Sequence, residues 1–379
     1  MFIERALDWL RPGGTLGIVM AKGQLDNREA YAARKLILEQ GQLLAVVNLH
    51  EDTFQPFVGS RASVLFVRKR SGREPSSYPI FMAISNEVGQ TSRGAPIYEL
   101  DESGKPKVLE GVHIVKQDLS DIAKAFAAFQ KGELQNSAFR FAMPSSQLDT
   151  ATLSFNPVRY LPGNEAAWNH VLRLGETDAF EIRTLGTLGR VFNGPRFKRP
   201  YADRGVTSGD GILQYFTGTA LTQAKGENIK YLDKGKADRQ TRRHLDSLII
   251  RRGYILITDS GTLGRVVMAL KQHDGHVATN NLIRVVIDDH ILRFYVYEVL
   301  RSELGQRLML RNAYGTNQEH LEPDEIKKIP IPIPRNPELI RRVAANAKIA
   351  YEAFEESLNA GTKAQESLDE VLGFNSEEE

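Results

Sequence analysis

One stretch constrains the fold more than any bulk property. In Gly253-Tyr-Ile-Leu-Ile-Thr-Asp-Ser-Gly-Thr-Leu-Gly264 an apolar strand runs straight into a tight polar turn. A second strand over residues 265–270 follows at once, then a polar loop and a third strand over 282–287. An amphipathic helical pattern over 293–310, the loop Gly315-Thr-Asn-Gln318 and the strand-like Ile329-Pro-Ile-Pro-Ile-Pro334 complete the series. Short strands bounded by turn residues, with a helix among them, predict a β-rich α+β region.

The N-terminal third has a different rhythm. Residues 2–10 have helical spacing and stop at Arg11-Pro-Gly-Gly14. Residues 15–20, 43–49 and 62–68 are short apolar strands. Residues 28–40 carry Tyr31, Leu36 and Leu38 among charges, and Gly41 is placed to end that helix. Continuous apolar strands alternating with helices predict an α/β sheet buried on both faces. A helix ending near 126–135 follows, then two short strands at Phe139-Arg-Phe141 and Leu153-Ser-Phe155.

With 379 residues, 41% hydrophobic and 25% charged, the chain is long enough for two or three soluble domains. No run approaches the ~20 apolar residues of a membrane span. The start, Met1-Phe-Ile-Glu-Arg, lacks the basic residues and apolar core of a signal peptide. A cytoplasmic setting is expected. With no cysteine, disulfides, thiolate metal sites and cysteine nucleophiles are excluded. A net charge of +2 is nearly neutral, so a nucleic-acid surface must come from local clusters of Arg and Lys.

Two such clusters exist. Arg190, Arg196, Lys198 and Arg199 surround Phe197 and Tyr201, in a geometry suited to phosphates with planar side chains beside them. The alternative is that Phe197 is core and the cations merely face solvent. The second cluster comprises Arg239, Arg242, Arg243, His244, Arg251 and Arg252. The Ser260-Gly-Thr-Leu-Gly264 turn can offer backbone N–H groups with the Ser260 and Thr262 hydroxyls to phosphate oxygens. Amides of Asn193, Asn280, Asn317 and Gln318, with the Thr316 hydroxyl, suit base edges, although Asn and Gln serve equally as turn residues.

Catalytic and metal signals are weak. His273 and His276 in Gln272-His-Asp-Gly-His276 have no further metal spacing and read as a solvated turn. Ser260 has no elbow motif. Asp233, Asp288 and Asp289 read as solvated charges in turns. Gly209-Asp-Gly211 has no strand–turn–helix context for a phosphate loop. No catalytic, cofactor-binding or metal residue is expected.

Specific residues carry a resemblance. The segments Phe2-Ile-Glu-Arg-Ala-Leu7, Leu10-Arg-Pro-Gly-Gly-Thr-Leu-Gly-Ile-Val19, Leu44-Ala-Val-Val-Asn-Leu49, Thr53-Phe-Gln-Pro-Phe-Val-Gly59 and Ser63-Val-Leu-Phe-Val-Arg-Lys69 resemble the late part of adenine-N6 DNA methyltransferases of the type I and type IIG families. Ile182-Arg-Thr-Leu-Gly-Thr-Leu-Gly-Arg190, the basic stretch to Tyr201 and the 249–334 series resemble a type I specificity-subunit target recognition domain. The resemblance implies a partial doubly wound methyltransferase sheet, then a β-rich recognition domain and a long C-terminal helix. The expected divisions are 1–70 for the sheet, 71–165 for its extension and linker, 166–335 for DNA recognition, and 336–379 for the helix and acidic tail. The boundary between halves is expected within 156–177.

The family's Gly-rich cofactor turn and Asn-Pro-Pro-Tyr/Phe loop do not occur; Asn156-Pro-Val-Arg159 lacks the second proline and the aromatic. S-adenosylmethionine is therefore implied for the intact family enzyme and not for this chain alone, which reads as truncated or split. The implied partners are double-stranded DNA and either the missing methyltransferase half or modification and restriction subunits. The implied function is sequence-specific DNA binding within a restriction-modification or related phage-defence system. The competing readings are a scaffold that docks other subunits without DNA affinity and a methyltransferase active by itself. The helix over 338–372, interrupted near Gly361, is expected to dock a partner or cover its own recognition domain.

Overall fold

A computed structural model describes residues 2–72, 75–222, 229–260, 263–313 and 320–373. The chain divides into two compact units, residues 1–166 with 310–320, and residues 167–309 with 321–379.

The first unit is built on a five-stranded sheet ordered Thr15–Ala21, Ala62–Lys69, Gly41–Asn48, Pro79–Ile84, Arg140–Pro144. Helices lie over both faces, as an α/β sheet requires, but only Gly41–Asn48 and Pro79–Ile84 pair parallel. The other pairings are antiparallel; Ala62–Lys69 follows Gly41–Asn48 with no helix between them, and a parallel return would need such a crossover. On one face Leu43, Val46, Leu65, Val67, Ile80 and Met82 pack with Leu7 and Ile37 from the helices Phe2–Trp9 and Tyr31–Gln40. A bulge between Leu43 and Ala45 rephases the strand, so Leu43 and Val46 share that face despite their odd spacing. On the opposite face Ala45, Val47, Phe81 and Ala83 meet Ile122, Phe126 and Phe129 of helix Leu119–Lys131.

Three expectations fail here. Strand Thr15–Ala21 is not buried on both faces; exposed and half-buried residues alternate along it. The inward face of helix Tyr31–Gln40 is Arg34 and Ile37, while Tyr31 is exposed. Residues 153–155 form no strand, because Leu153 has φ +49° and its carbonyl accepts a hydrogen bond from Arg34 Nε at 2.9 Å.

Among its described residues the second unit holds three small sheets. Four antiparallel strands run in the order Val266–Met268, Ile255–Thr258, Leu282–Val286, Arg190–Phe192. Lys230–Asp233 pairs antiparallel with Ile212–Phe216, which pairs parallel with Val277–Ala278. Pro330–Pro334 pairs antiparallel with Phe180–Thr184; a proline cannot donate to a ladder, so its alternating prolines suit a strand with a single partner. The single helix expected over 293–310 is two, His290–Arg301 and Glu303–Leu310. They break at Ser302, where Gly305 approaches so closely that a Cβ would stand 2.1 Å from Val299 O.

The C-terminal helix, Pro337–Leu372, packs on His290–Arg301 through Ala344, Ala347 and Tyr351, with the Phe294 and Tyr351 rings 5.6 Å apart. It continues unbroken through Gly361, which has open space around it, so the expected interruption is absent. Residues 359–373 of this segment are exposed. Among the described residues no helix is long and apolar enough to cross a membrane.

Candidate nucleic-acid interface

The basic loop after Arg190–Phe192 is fixed by its uncharged residues. Gly194 rests on the buried Leu248. Phe197 turns inward beside Leu232, Leu245 and Leu248, its ring edge-on to Tyr215 at 6.3 Å. Arg196 and Lys198 on either side turn outward, are exposed and make no ion pair among the described residues. Inward and solvent-facing positions therefore alternate along this segment, with Phe197 in the core and Arg196 and Lys198 outside. Arg199 is held: its Nε donates to Tyr215 Oη at 2.9 Å, and its guanidinium lies 5.6 Å from that ring. This hydrogen bond raises the arginine pKa. Tyr201 carries Lys230 Nζ 5.6 Å above its ring, a cation missed by sequence reasoning because only strand pairing brings it there. Asp203 is paired with Lys236 at 2.6 Å.

Helix Arg239–Leu248 adds to this surface. Asp238 caps it, its carboxylate accepting from Thr241 N at 2.7 Å, and its pKa is lowered by these hydrogen bonds. Thr241, Leu245 and Leu248 face inward; Arg239 and Arg243 face solvent. Arg242 instead folds back and donates to the carbonyls of Lys234, Gly235 and Ala237 at 2.9–3.2 Å. Arg252 pairs with Glu355 at 2.7 Å and Arg251 lies 4.0 Å from Asp274. Of the expected cations, Arg190, Arg196, Lys198, Arg199, Arg242 and Arg243 are all exposed, but the guanidiniums of Arg199 and Arg242 are also hydrogen-bonded to the scaffold.

The amide loop is shaped by a residue that sequence reasoning missed. Arg284, fully buried in the centre of Leu282–Val286, donates to the carbonyls of Leu282 at 2.5 Å, Ala278 at 2.7 Å, Thr279 at 3.2 Å and Leu248 at 3.4 Å. Burial pushes its pKa down to about 10, partly opposed by the Asp259 charge. The carbonyls it gathers form the base of the loop that presents Asn280, itself half-buried and donating to Asn281 Oδ1 at 2.8 Å. Asn193 is exposed and Ser260 half-buried. Thr262, Thr316, Asn317 and Gln318 lie outside the described residues.

The remaining candidates are structural. His273 is no solvated residue: it is 1% exposed, edge-on to the Phe216 ring at 4.7 Å, and its Nδ1 accepts from Leu270 N. Burial and the neighbouring His276 push its pKa down to about 4. Asp233 and Asp289 are not merely solvated, since each caps a helical turn. Among the described residues no three His, Asp or Glu groups could together hold a metal ion. In the first unit a cleft of about 230 Å³ opens beyond the C-terminal ends of the parallel strands, lined by Lys22, Asn48, His50, Glu51, Arg61 and Ser85. Glu51 there pairs with Arg61. Asn156 beside it is held in the scaffold, accepting from Asn48 Nδ2 and Val158 N and donating to Asp26. Gly13-Gly14 turns from a helix into a strand, the reverse of the strand–glycine turn–helix order that cradles a nucleotide-like cofactor.

Comparison with known proteins gives two family matches. Residues 1–128 match the N-6 DNA methylase family and residues 178–350 match the type I restriction modification DNA specificity domain. The type I S subunit from M. genitalium is 15% identical over 46% of this chain and 39% of its own, with a TM-score of 0.32. The type IIG restriction endonuclease BpuSI is 12% identical over 92% of this chain and 43% of its own, with a TM-score of 0.32. The type IIL enzyme MmeI, solved in complex with DNA, is 10% identical over 99% of this chain and 49% of its own, with a TM-score of 0.49. The chain thus spans less than half the length of each of these proteins. No curated protein matches it. The fold and the two matches together identify an N-6 DNA methylase segment, residues 1–128, joined to a type I restriction-modification DNA specificity domain, residues 178–350.

Proposed function

We propose that the protein reads duplex DNA sequence for an adenine-N6 restriction-modification methyltransferase in the cytoplasm. Residues 166–335 make the DNA contacts, and residues 1–70 and 71–165 contribute the late methyltransferase sheet and its extension. Methyl transfer from S-adenosylmethionine needs a methyltransferase half, or modification subunits, beyond these residues. The outward pair Arg196 and Lys198 on a loop whose intervening Phe197 is anchored carries this reading. Two cations held on a rigid base lose little conformational freedom when they meet phosphates.

The test is Arg196→Ala with Lys198→Ala, sparing Arg199 because it supports Tyr215. Binding to a randomised duplex library should weaken, and the slope of log affinity against log salt should flatten by about two units, one per phosphate contact. Melting should be unchanged, since exposed charges contribute little to stability. Unchanged binding with early melting, or no binding at low salt, overturns the assignment. A docking role has its own support in the exposed Leu368, Val371 and Leu372 of the C-terminal helix. Complex formation with a modification subunit in the absence of any DNA affinity favours that second reading.

A further inference from the structure

A cation outside the basic loop joins the same surface. Residues 200–202 run antiparallel to Lys230–Asp233: Asp233 N donates to Pro200 O and Ala202 N to Tyr231 O, with Tyr201 opposite Leu232. The loop that presents Arg196 and Lys198 is thereby laid along the edge of the sheet of Lys230–Asp233, Ile212–Phe216 and Val277–Ala278. Residues two apart on a strand share a face, so Lys230 lies on the same side of the sheet as Leu232 and Tyr201. Its ammonium stands 5.6 Å from the centre of the Tyr201 ring. Continuing the register would set Asp203 opposite Lys230, but Asp203 is paired with Lys236 at 2.6 Å. Lys230 is exposed and makes no ion pair among the described residues.

We propose that Lys230 contacts a phosphate of the bound duplex and that Tyr201 positions it there, a contact additional to those of Arg196 and Lys198. An ammonium is a compact point charge without the planar fork that matches a base edge, so a phosphate oxygen is the partner it suits. A lysine stem is otherwise flexible, and ordering it opposes binding. Drawn to the face of a ring, it is partly ordered before DNA arrives, while its exposed side stays open. Tyr215 faces Lys230 directly in the strand register, and it is Tyr215 that holds Arg199, through a hydrogen bond at 2.9 Å. Each cation thus lies 5.6 Å from a tyrosine ring, Arg199 from Tyr215 and Lys230 from Tyr201, on one patch built from two segments far apart in sequence. Like charges gathered there with their nearest acid engaged elsewhere favour a polyanion.

The test is the affinity of the whole chain for a fluorescent duplex of random sequence, measured across salt concentrations. Lys230→Ala should weaken binding severalfold and flatten the slope of log affinity against log salt by about one unit, with melting unchanged. Tyr201→Leu should weaken it less, and should cost nothing further in the Lys230→Ala background, because the ring acts through the lysine. Tyr201→Phe, which keeps the ring, should recover what Tyr201→Leu loses. The contact presupposes that residues 166–335 read DNA, so Arg196→Ala with Lys198→Ala is measured beside it. If that pair weakens binding and Lys230→Ala does not, this contact alone falls; if the unaltered chain binds no duplex at low salt, both fall. Earlier melting of Lys230→Ala with an unchanged salt slope also overturns the contact. A Tyr201→Leu loss that persists in full without Lys230 overturns the positioning, since the ring would then touch DNA itself.

Discussion

Each unit buries one arginine among backbone carbonyls, and the two are used differently. Arg34, 1% exposed, reaches the carbonyls of Gln24, Asn27, Thr152 and Leu153, all at 2.9 Å. It fastens a segment more than a hundred residues away against the first sheet, and its Nε, Nη1 and Nη2 are all bonded. Arg284 gathers nearer chain, its bonds range from 2.5 to 3.4 Å, and its Nε has no partner. Burial lowers the pKa of both, and Asp26 and Asp259 respectively oppose the shift through their charges. A guanidinium suits both sites because its fork of donors stays charged and meets several carbonyls at once. In the first unit it closes the fold; in the second it sets the shape of a loop.

The largest expected effect is loss of Arg34. Arg34→Met fills the volume but leaves four carbonyls without their donor, costing about 4 kcal/mol. Arg284→Met should cost less, about 3 kcal/mol, since two of its four bonds are stretched to 3.2 and 3.4 Å and its Nε is bare. Urea unfolding of both variants, with hydrogen exchange resolved by segment, checks the order. Arg284→Met should also loosen exchange around residues 278–282 and weaken DNA binding, which Arg34→Met should not do until the unit unfolds. Equal losses, or weaker DNA binding in the Arg34 variant while it remains folded, would break the distinction.

Acid should separate the units next. The folded-state pKa of His273 is depressed to about 4, from an ordinary value near 6.5. Below pH 6.5 the unfolded chain takes up a proton that the folded chain refuses, so stability falls with pH until about 4 and levels off. Each pH unit in that window removes about 1.4 kcal/mol, or about 3 kcal/mol in all. His276, also depressed by burial, adds to the loss, while the Glu355 charge favours the protonated ring. The first unit's His50, His113 and His320 are not buried. Exchange corrected for intrinsic rates should show Ile255–Thr258 loosening between pH 6.5 and 4 by more than Ala62–Lys69. His273→Asn, which keeps an acceptor for Leu270 N, should flatten that slope.

What the sequence revealed follows from what each signal measures. Strand–turn–strand punctuation located Ile255–Thr258, Val266–Met268, Leu282–Val286 and Pro330–Pro334 but not the sheet of Lys230–Asp233, Ile212–Phe216 and Val277–Ala278. The residue string around Gly13-Gly14 located the methylase segment. Local signals reach only local features. Hydropathy treats arginine as solvent-facing, so both buried arginines were missed. Signals were nonetheless present: Arg34 sits four residues after Ala30 and three before Ile37, on the buried helical face, and Arg284 interrupts an apolar strand at its centre. The basic clusters were legible as composition but not as surfaces. Separating Arg196 and Lys198 from Arg199 and Arg242, equally exposed but committed to partners, requires tertiary contacts to Tyr215 and the 234–237 carbonyls that no spacing shows.

The smallest expected effect sits where the scaffold meets the proposed DNA surface. A Cβ added at Gly194 would stand 1.9 Å from Leu248 Cδ2 and 2.8 Å from its Cγ. Leu248 is fully buried among Tyr215, Leu232 and Leu245, so it has little room to turn aside. Gly194→Ala should therefore cost about 1–2 kcal/mol, the range for forcing one methyl group into a packed core. The exposed loop is the softer side of that contact, and its shift would carry Arg196 and Lys198 with it. DNA binding should weaken although no cation is lost, and its salt slope should hold if the same phosphates are contacted less well. Replacing Leu248 with Ala in the Gly194→Ala background relieves the clash and should restore binding, even though the added cavity lowers stability further. Weak binding that persists in the double variant would mean that Gly194 itself touches DNA, and the line drawn here between scaffold and surface would move to include it.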